Sequence, residues 1–347
     1  MSQDISMFDT RTMLTALEQS KPATTFLLDT FFPNSQTHTT DTIDIDIVDK
    51  MGRKMAPFVS PRLEGKVIKK NGFKTRSYKA PYIKEKTITN ALDILKRDPG
   101  QTIYTSNDSP AVRAARELGK DLADLREMVM RRMEWMAAQL LATGTLVIKG
   151  DGIDDEIDFG MKSTHQITLS GAALWTASTS DPIKDIENWC ELVGQDSGIY
   201  PTDIVLGSEC ADAFRANISV NSYLDKRKME FGTLAPQQVA DGVKYLIYLP
   251  SAGVTLWTYA ESYYDEDSSS LKTFVPAKKL FIGSRNAYTK RHFGVIKDLE
   301  AGQEAAVPMF PKTWLQKDPS AQMLLLQSAP LVAMHQVDAF AVAQPVA

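Results

Sequence analysis

Cysteine is scarce in this chain of 347 residues: Cys190 and Cys210 stand 20 positions apart, in no C-x-x-C pair. Two thiols without such spacing provide no disulfide framework and fit a reducing cytoplasm. Long apolar runs are also missing, since no stretch approaches the roughly 18 apolar residues that a membrane helix needs. The first residues, MSQDISMFDTRTML, lack the basic region and apolar core of a secretion signal. We therefore predict neither a secretion signal nor a membrane span.

Motifs for catalysis and metal binding are lacking as well. The four histidines form no H-E-x-x-H or other close ligand spacing, and neither a P-loop nor a G-x-G-x-x-G occurs. The acidic cluster 44–49 lacks the glycine and distal glutamate of a calcium loop, and 151–158 has the wrong spacing. Both clusters are more typical of solvated strands and turns. No metal and no cofactor are expected.

One segment superficially resembles a nucleophile elbow. Gly207-Ser208-Glu209-Cys210 follows an apolar strand, DIVLG, and precedes a helical pattern. The second glycine of G-x-S-x-G is absent, and no histidine is placed to act as a base. We interpret Ser208 as a helix N-cap and predict that the protein is not an enzyme.

Charge is distributed unevenly along a chain whose formal net charge is only −4. Between Arg62 and Arg97, eleven Lys and Arg stand against three Asp and Glu, whereas 29–49 contains no Lys or Arg. The low net charge argues against a generally basic nucleic-acid coat but allows local basic patches. We predict that the acidic and basic segments pair between neighbouring copies of the chain, with a solvated surface or nucleic-acid binding as alternatives.

The first 50 residues have the pattern of an extended arm. FLLDTFF, at 26–32, is apolar and is followed by Pro33. In 41–49, isoleucines alternate with aspartates, which predicts a half-buried edge strand with the isoleucines on one face. Such an arm has no core of its own, and we expect it to acquire one on assembly.

Residues 57–90 predict a long basic β-hairpin. Asn71-Gly72 is a strong signal for a tight type I′ turn, and both flanks are rich in strand formers. Phe73, Tyr78 and Tyr82 are possible stacking groups for a nucleic acid. An isolated hairpin is marginal in water, so it should lie on another surface.

Residues 107–143 predict one helix of about 50 Å. Ser109 is a suitable N-cap, Pro110 suits the first helical position, and Gly144 is a natural stop. The apolar positions repeat at intervals of four and three residues and form one stripe. They are Leu118, Leu122, Leu125, Val129, Met133, Met136 and Leu140.

The remaining chain predicts a hairpin at 144–170, a separate αβ domain at 181–297 and strand-like runs at 298–347. The last segment contains four short motifs in succession. They are Phe310-Pro311-Lys312-Thr313-Trp314, Asp318-Pro319-Ser320, Gln327-Ser328-Ala329-Pro330-Leu331 and Val337-Asp338-Ala339-Phe340.

This segment resembles the C-terminal signature of lambda-type phage major capsid proteins: F/Y-P-K-x-W, D-P-[AS], Q-S-A-P-L and V-D-x-F. Further matching stretches lie nearer the N-terminus. They are Phe26-Leu27-Leu28 with Phe31-Phe32, Phe58-Val59-Ser60-Pro61, Glu64-Gly65-Lys66-Val67-Ile68 and Tyr82-Ile83-Lys84. The match is weak in 181–297, where only the order of helices and strands agrees.

The resemblance implies an α+β protein with the HK97-like capsid fold. Its expected parts are an N-terminal arm (1–50), an extended β-hairpin E-loop region (51–105), the first part of a P-domain with a long spine helix (106–180), an inserted A-domain (181–297) and a P-domain return (298–347). It implies a subunit that assembles as pentamers and hexamers into an icosahedral phage head around double-stranded DNA. The implied partners are further copies, a decoration protein, scaffold and portal proteins, with assembly in the host cytoplasm.

The resemblance and the charge pattern together predict an assembly interface in the arm, the E-loop and the return. Its residues are Phe31, Phe32, Ile43, Asp44, Ile45, Asp46, Phe58, Lys66, Lys69, Lys70, Asn71, Gly72, Lys74, Arg76, Tyr82, Pro311 and Trp314. Alternatives are an encapsulin-like shell that packages an enzyme, a nucleic-acid-binding module built on the basic hairpin, and a hydrolase built on 181–297.

Overall fold

A computed structural model defines the fold. It describes residues 24–48, 73–90, 110–150, 152–226, 237–265, 268–302, 306–318 and 320–347, together with 13, 14, 16, 17, 55, 56 and 58–64. Helices and strands are mixed along the chain, which confirms the predicted α+β class. Within these residues, the helices of eight residues or more are Pro110–Thr143, Pro182–Ser197, Ser208–Ala216 and Ile218–Lys226, and a short arm helix spans Phe26–Phe31.

The predicted long helix is present as Pro110–Thr143. All seven residues of its predicted apolar stripe are buried, with exposed fractions of 9% or less. The helix ends where predicted, because Gly144 has φ +73°, a left-handed conformation that glycine adopts without strain. The stripe packs on the arm helix and on strands of the C-terminal segment. Sequence periodicity therefore located both this helix and the face that it buries.

The largest sheet of the described residues has seven strands in the spatial order β7-β19-β14-β8-β11-β10-β9. The bounds are Gln166–Thr168 (β7), Asp203–Leu206 (β8), Gln237–Ala240 (β9), Val243–Leu249 (β10), Val254–Tyr259 (β11), Leu280–Gly283 (β14) and Ala341–Gln344 (β19). β8 pairs in parallel with β11, and β7 with β19, whereas the other pairs are antiparallel. The sheet thus includes strands from outside 181–297, and the division into domains stays a prediction.

Two three-stranded sheets join distant parts of the chain. One has the order β1-β15-β18, with bounds Ser35–Thr37, Thr289–Phe293 and Pro330–Met334. The other has the order β16-β17-β4, with bounds Phe310–Gln316, Ala321–Ser328 and Ile83–Asn90. In the second sheet β16 is an edge strand, where Pro311 is tolerated because it has no amide hydrogen to donate.

Three two-stranded sheets complete the described strands. They are β2–β3 (Thr42–Val48 and Phe73–Lys79), β5–β6 (Thr145–Gly150 and Ile153–Asp158) and β12–β13 (Ser262–Asp265 and Ser270–Thr273). The β5–β6 pair confirms the hairpin predicted after the long helix. The turn of the basic hairpin, Asn71-Gly72, and its first strand lie outside the described residues.

The acidic and basic segments pair differently from the prediction. β2 pairs with β3 of the same chain, with Thr42 opposite Lys79 and Val48 opposite Phe73. The prediction of pairing between copies is therefore wrong for these strands. In the register of this pair, Asp44 stands opposite Ser77 and Asp46 opposite Thr75. Each carboxylate therefore accepts a hydrogen bond from a hydroxyl group of the same chain instead of pairing with a lysine.

The arm is also more embedded than predicted. Leu27, Leu28, Phe31 and Phe32 are fully buried, in one core cluster with the stripe of the long helix. Their large apolar side chains fill the centre of their own chain, so this part of the arm does not wait for assembly to acquire a core.

Candidate assembly site

An aromatic junction joins the arm to the C-terminal motif V-D-A-F. Phe31 meets Phe340 edge-to-face at 5.8 Å between ring centroids, and Phe32 stacks parallel to Phe340 at 6.3 Å. The junction leaves no room at Gly283 of β14, where an added Cβ would lie 2.7 Å from Phe340 and 2.8 Å from Phe31. Two of the matched motifs, far apart in the sequence, thus share one packing site.

Charged side chains hold both ends of the arm helix. The buried carboxylate of Glu134, on the long helix, accepts hydrogen bonds from the amides of Leu27 (2.8 Å) and Leu28 (3.0 Å). At the other end Arg291 of β15 donates to the carbonyl of Phe32 and to the Asp29 carboxylate. A negative group at the start of a helix and a positive group at its end both complement the backbone dipoles.

Glu134 is the most strongly desolvated acid of this site, with 1% of its surface exposed. Burial raises its pKa to about 7, while the amides of Leu27 and Leu28 act in the opposite direction. Burial therefore favours proton retention on Glu134, whereas the amides of the docked arm favour its ionised form.

The aspartate of V-D-A-F fastens the C-terminal segment to 162–165. Asp338 pairs with Lys162 at 3.2 Å, and Lys162 also reaches Asp196 at 3.1 Å. His165, fully buried, bonds to the carbonyl of Phe340 at 2.7 Å and to Asp196 at 3.1 Å. The hydrogen bond from Lys162 outweighs partial burial and lowers the pKa of Asp196.

A second polar network joins three further motifs. The Tyr82 hydroxyl donates to Gln327 Oε1 (2.8 Å), and Gln327 Nε2 donates to Asp298 (2.7 Å). Lys312 pairs with Asp298 at 3.2 Å and with Glu300 at 3.0 Å. Burial opposes ionisation of Asp298, but the bonds from Gln327, the Glu300 amide and Lys312 prevail and lower its pKa. The lysine of F-P-K-x-W and the glutamine of Q-S-A-P-L therefore have structural roles.

The face of the β16-β17-β4 sheet that points away from the long helix is partly apolar. Trp314 stands opposite Met323, which stands opposite Ile88, forming one row across three strands. Trp314 is 39% exposed and Ile88 51% exposed, whereas Met323 between them is buried. We call Ile88, Met323 and Trp314 the outer row, and it is flanked by the exposed Lys84 and Lys86 of β4. An apolar row within a basic rim is typical of a protein-binding surface.

The predicted interface residues fall into separate environments. Phe31, Phe32, Ile43 and Ile45 are fully buried in their own chain, which is a correction, because no surface of these side chains remains for a neighbour. Pro311 is also buried, and Tyr82 is half-buried in the polar network.

The polar members of the prediction lie near one another. Asp44 and Asp46 are on the exposed face of β2, and Lys74 and Arg76 are in β3. Arg76 donates to the carbonyl of Asp158, which ties β3 to the hairpin after the long helix.

Phe58 and Trp314 are the exposed aromatic members, and Phe58 is fully exposed. Five predicted residues lie outside the described part of the chain: Lys66, Lys69, Lys70, Asn71 and Gly72.

Sequence reasoning missed Glu134, Arg291, Gly283 and Asp298. A glutamate among the apolar residues MEWMAAQLL was the one available signal, because a buried acid needs partners. No local pattern marks the other three, since the side chains that they contact are more than 10 residues away.

The possible nucleophiles are poorly suited to chemistry. Cys190 and Cys210 are buried, and burial raises the pKa of each thiol to about 12. The N-cap of the helix Ser208–Ala216 is Gly207, so the interpretation of Ser208 as the N-cap is wrong by one position. Within the described ranges, no group of three acidic, histidine or cysteine side chains is arranged to hold a metal ion.

The fold and these packed motifs define a phage capsid shell protein. The family model described as phage major capsid protein E matches residues 9–344, and the chain belongs to this family. Members of the family are structural capsid proteins, so the prediction that the chain is not an enzyme is confirmed.

Known relatives agree with this assignment. The major capsid protein of Escherichia phage lambda is 29% identical over 344 residues, covering 97% of this chain and 98% of the relative. The crystal structure of a prophage capsid protein from Escherichia coli CFT073 superimposes with a TM-score of 0.73 at 21% identity, covering 98% of this chain and 99% of that one. The predicted HK97-like fold is thereby confirmed.

The encapsulin alternative is less well supported. An encapsulin complex from Synechococcus elongatus PCC 7942 superimposes with a TM-score of 0.50 at 11% identity, covering 100% of this chain and 92% of that one. It is more distant than the phage proteins. Among the described helices, none combines the length and apolarity needed to cross a bilayer.

Proposed function

We propose that this chain builds an icosahedral phage head by assembling as pentamers and hexamers, and that the finished shell encloses double-stranded DNA. The observation that carries the proposal is the match to the capsid family over residues 9–344. The structure adds that the family's motifs are used for internal packing, while Ile88, Trp314 and the lysines Lys84 and Lys86 of β4 remain exposed.

Further partners follow from this role. We infer a scaffold and a portal protein during assembly in the host cytoplasm, and a decoration protein on the outer surface. The segment 58–64 is a candidate contact for a neighbouring subunit or a decoration protein. In it Phe58 is fully exposed and Leu63 is 69% exposed.

Electron microscopy of the negatively stained protein tests the proposed assembly. The chain is purified alone and after co-expression with neighbouring phage genes. We expect rings of five and six subunits or closed icosahedral shells. A stable monomer under every condition would contradict the proposal, and shells that retain a host enzyme in place of DNA would favour an encapsulin-like role.

The outer row is the proposed intersubunit contact. Trp314→Ala removes its largest exposed side chain and should abolish or strongly reduce shell formation, because aromatic anchors at interface centres commonly contribute about 2 kcal/mol or more. Leu315→Ala is the matched control: Leu315 is 73% exposed but points to the opposite face of the same strand.

Shell yield and thermal unfolding are measured for both variants. Loss of shells in Trp314→Ala, with normal unfolding and with normal shells in Leu315→Ala, supports the contact. Equal shell yields in Trp314→Ala and the parent protein would remove the outer row from the interface.

A further inference from the structure

Three of the four histidines form one hydrogen-bonded row that crosses from the arm into the body of the chain. His38 Nε2 lies 2.9 Å from His292 Nδ1, and His292 Nε2 lies 3.1 Å from His335 Nε2. The row ends at the backbone carbonyl of Asp46, 2.9 Å from His335 Nδ1. His292 uses both ring nitrogens in these contacts, so the row is a chain of hydrogen bonds rather than a set of ligands around one ion.

The terminal carbonyl determines every tautomer in the neutral row. A carbonyl oxygen only accepts, so His335 must carry hydrogen on Nδ1 and leave Nε2 as an acceptor. His292 must then carry hydrogen on Nε2 and accept at Nδ1. His38 in turn donates from Nε2. All bonds therefore point in one direction, from the arm residue His38 towards Asp46.

The same counting limits how many protons the row can hold. Each of the two contacts between rings accommodates one hydrogen, and the Asp46 carbonyl requires one more. One extra proton fits on the Nδ1 end of His38, or reaches His292 or His335 by transfer along the bonds, with every bond retained. A second extra proton must place two hydrogens in one contact, which breaks that bond and puts like charges next to each other.

The surroundings disfavour charge on these rings. His292 and His335 are 2% and 4% exposed, and burial lowers the pKa of all three histidines, that of His292 to about 3. Lys290 of β15 also acts against protonation of each ring.

The groups that favour protonation of the row belong to β2, and their effect is weaker than that of burial. Asp44 favours a charge on His38, and Asp46 favours one on His335. The Tyr288 ring also lies 4.6 Å from the His335 ring, and the Lys290 ammonium lies 5.3 Å from the centre of the Tyr288 ring.

The row joins the segments that hold the arm in place. His38 follows β1, and Asp46 lies in β2, so both arm strands are included. His292 belongs to β15, and His335 follows β18. We propose that the histidine row is an acid-sensitive lock that holds both arm strands on the body of the chain as long as it carries at most one extra proton.

Hydrogen exchange of the full-length protein as a function of pH tests the lock. The protection of residues 35–47, corrected for intrinsic exchange, is followed from about pH 7.5 to about pH 4.5. In acid the three released histidines hold three extra protons, whereas the row holds at most one. Opening of the arm therefore takes up about two protons. At pH values well below the ordinary histidine pKa of 6.5, we expect the opening constant of the arm to rise by up to about a hundredfold for each unit by which the pH falls. The helix Pro110–Thr143 in the same sample should keep its protection.

His292→Asn removes the central titrating ring and keeps a side chain that can both donate and accept. In this variant the factor by which the opening constant rises per pH unit should be at least ten times smaller than in the parent protein. An unchanged slope in His292→Asn would overturn the proposal.

Nitrogen-15 NMR of the histidine rings gives a test that does not depend on a variant. The directional row requires hydrogen on Nε2 of His292 and on Nδ1 of His335 at neutral pH. That pair of tautomers supports the lock, whereas the opposite tautomer at His292, or a charged His292 at neutral pH, would refute it.

Discussion

Gly283 provides a sharp test of how the arm packs on the C-terminal motif. In Gly283→Ala the new methyl group would lie 2.7 Å from Cδ1 of Phe340 and 2.8 Å from Cε1 of Phe31. Both rings have 0% exposure and cannot turn into solvent. Overpacking of a dense core costs about 1–3 kcal/mol. We expect Gly283→Ala to lower the free energy of unfolding by about 2 kcal/mol through this contact.

Chemical denaturation of the full-length chain measures this change, and Gly119→Ala is the matched control. Gly119 is exposed within the long helix, and among the described residues no atom apart from its own stretch of helix backbone lies within 4 Å of an added Cβ. Alanine there should raise the free energy of unfolding by about 0.5–1 kcal/mol, because it loses less backbone entropy on folding. The same substitution should thus lower the free energy of unfolding at Gly283 and raise it at Gly119.

A double variant separates the clash from other effects. Phe340→Leu removes ring atoms that the new methyl would meet, so the cost of Gly283→Ala should shrink in its presence by about 1 kcal/mol. A Gly283→Ala cost below about 0.5 kcal/mol, or a cost that Phe340→Leu leaves unchanged, would refute the reasoning.

Two other variants test the charged contacts. Lys312→Met keeps the aliphatic stem but removes the partner of Asp298, and should cost about 1 kcal/mol by urea denaturation. The lowered pKa of Asp298 makes this difference present at neutral pH and lost in acid, as the carboxyl is protonated; a cost that persists in acid would point to packing instead. For Glu134, the folded pKa of about 7 exceeds the ordinary glutamate value of 4.5, so the parent protein should lose up to about 3 kcal/mol of stability as pH rises between these values. Glu134→Gln should abolish that slope, and parallel pH profiles of the two proteins would contradict the assigned burial effect.

Local patterns predicted several elements well. The four-and-three spacing from Leu118 to Leu140 located the long helix and its buried face, because helical periodicity is a property of adjacent residues. The alternation in 42–48 predicted the strand, with Ile43 and Ile45 buried and Asp44 exposed. The motifs of 310–340 predicted the family, which the match over 9–344 confirms.

Pairing between distant segments was less accessible to such reasoning. The same alternation in 42–48 suits any partner strand, and charge alone suggested one in another copy. The fold instead places Phe73–Lys79 of the same chain beside it, with hydroxyls opposite the carboxylates. Register depends on which faces the whole chain can bury, and a single strand does not encode that.

The sequence by itself determined the class of protein, the long helix and the strands of the C-terminal segment, because each depends on short-range spacing or on motifs. Only the tertiary structure decided that Phe31 and Phe32 belong to the core, that Glu134 and Arg291 hold the two ends of the arm helix, and that three histidines share one row. These are contacts between residues about 40 to 310 positions apart. Their energies come from burial and hydrogen-bond geometry, which exist only once the chain has folded.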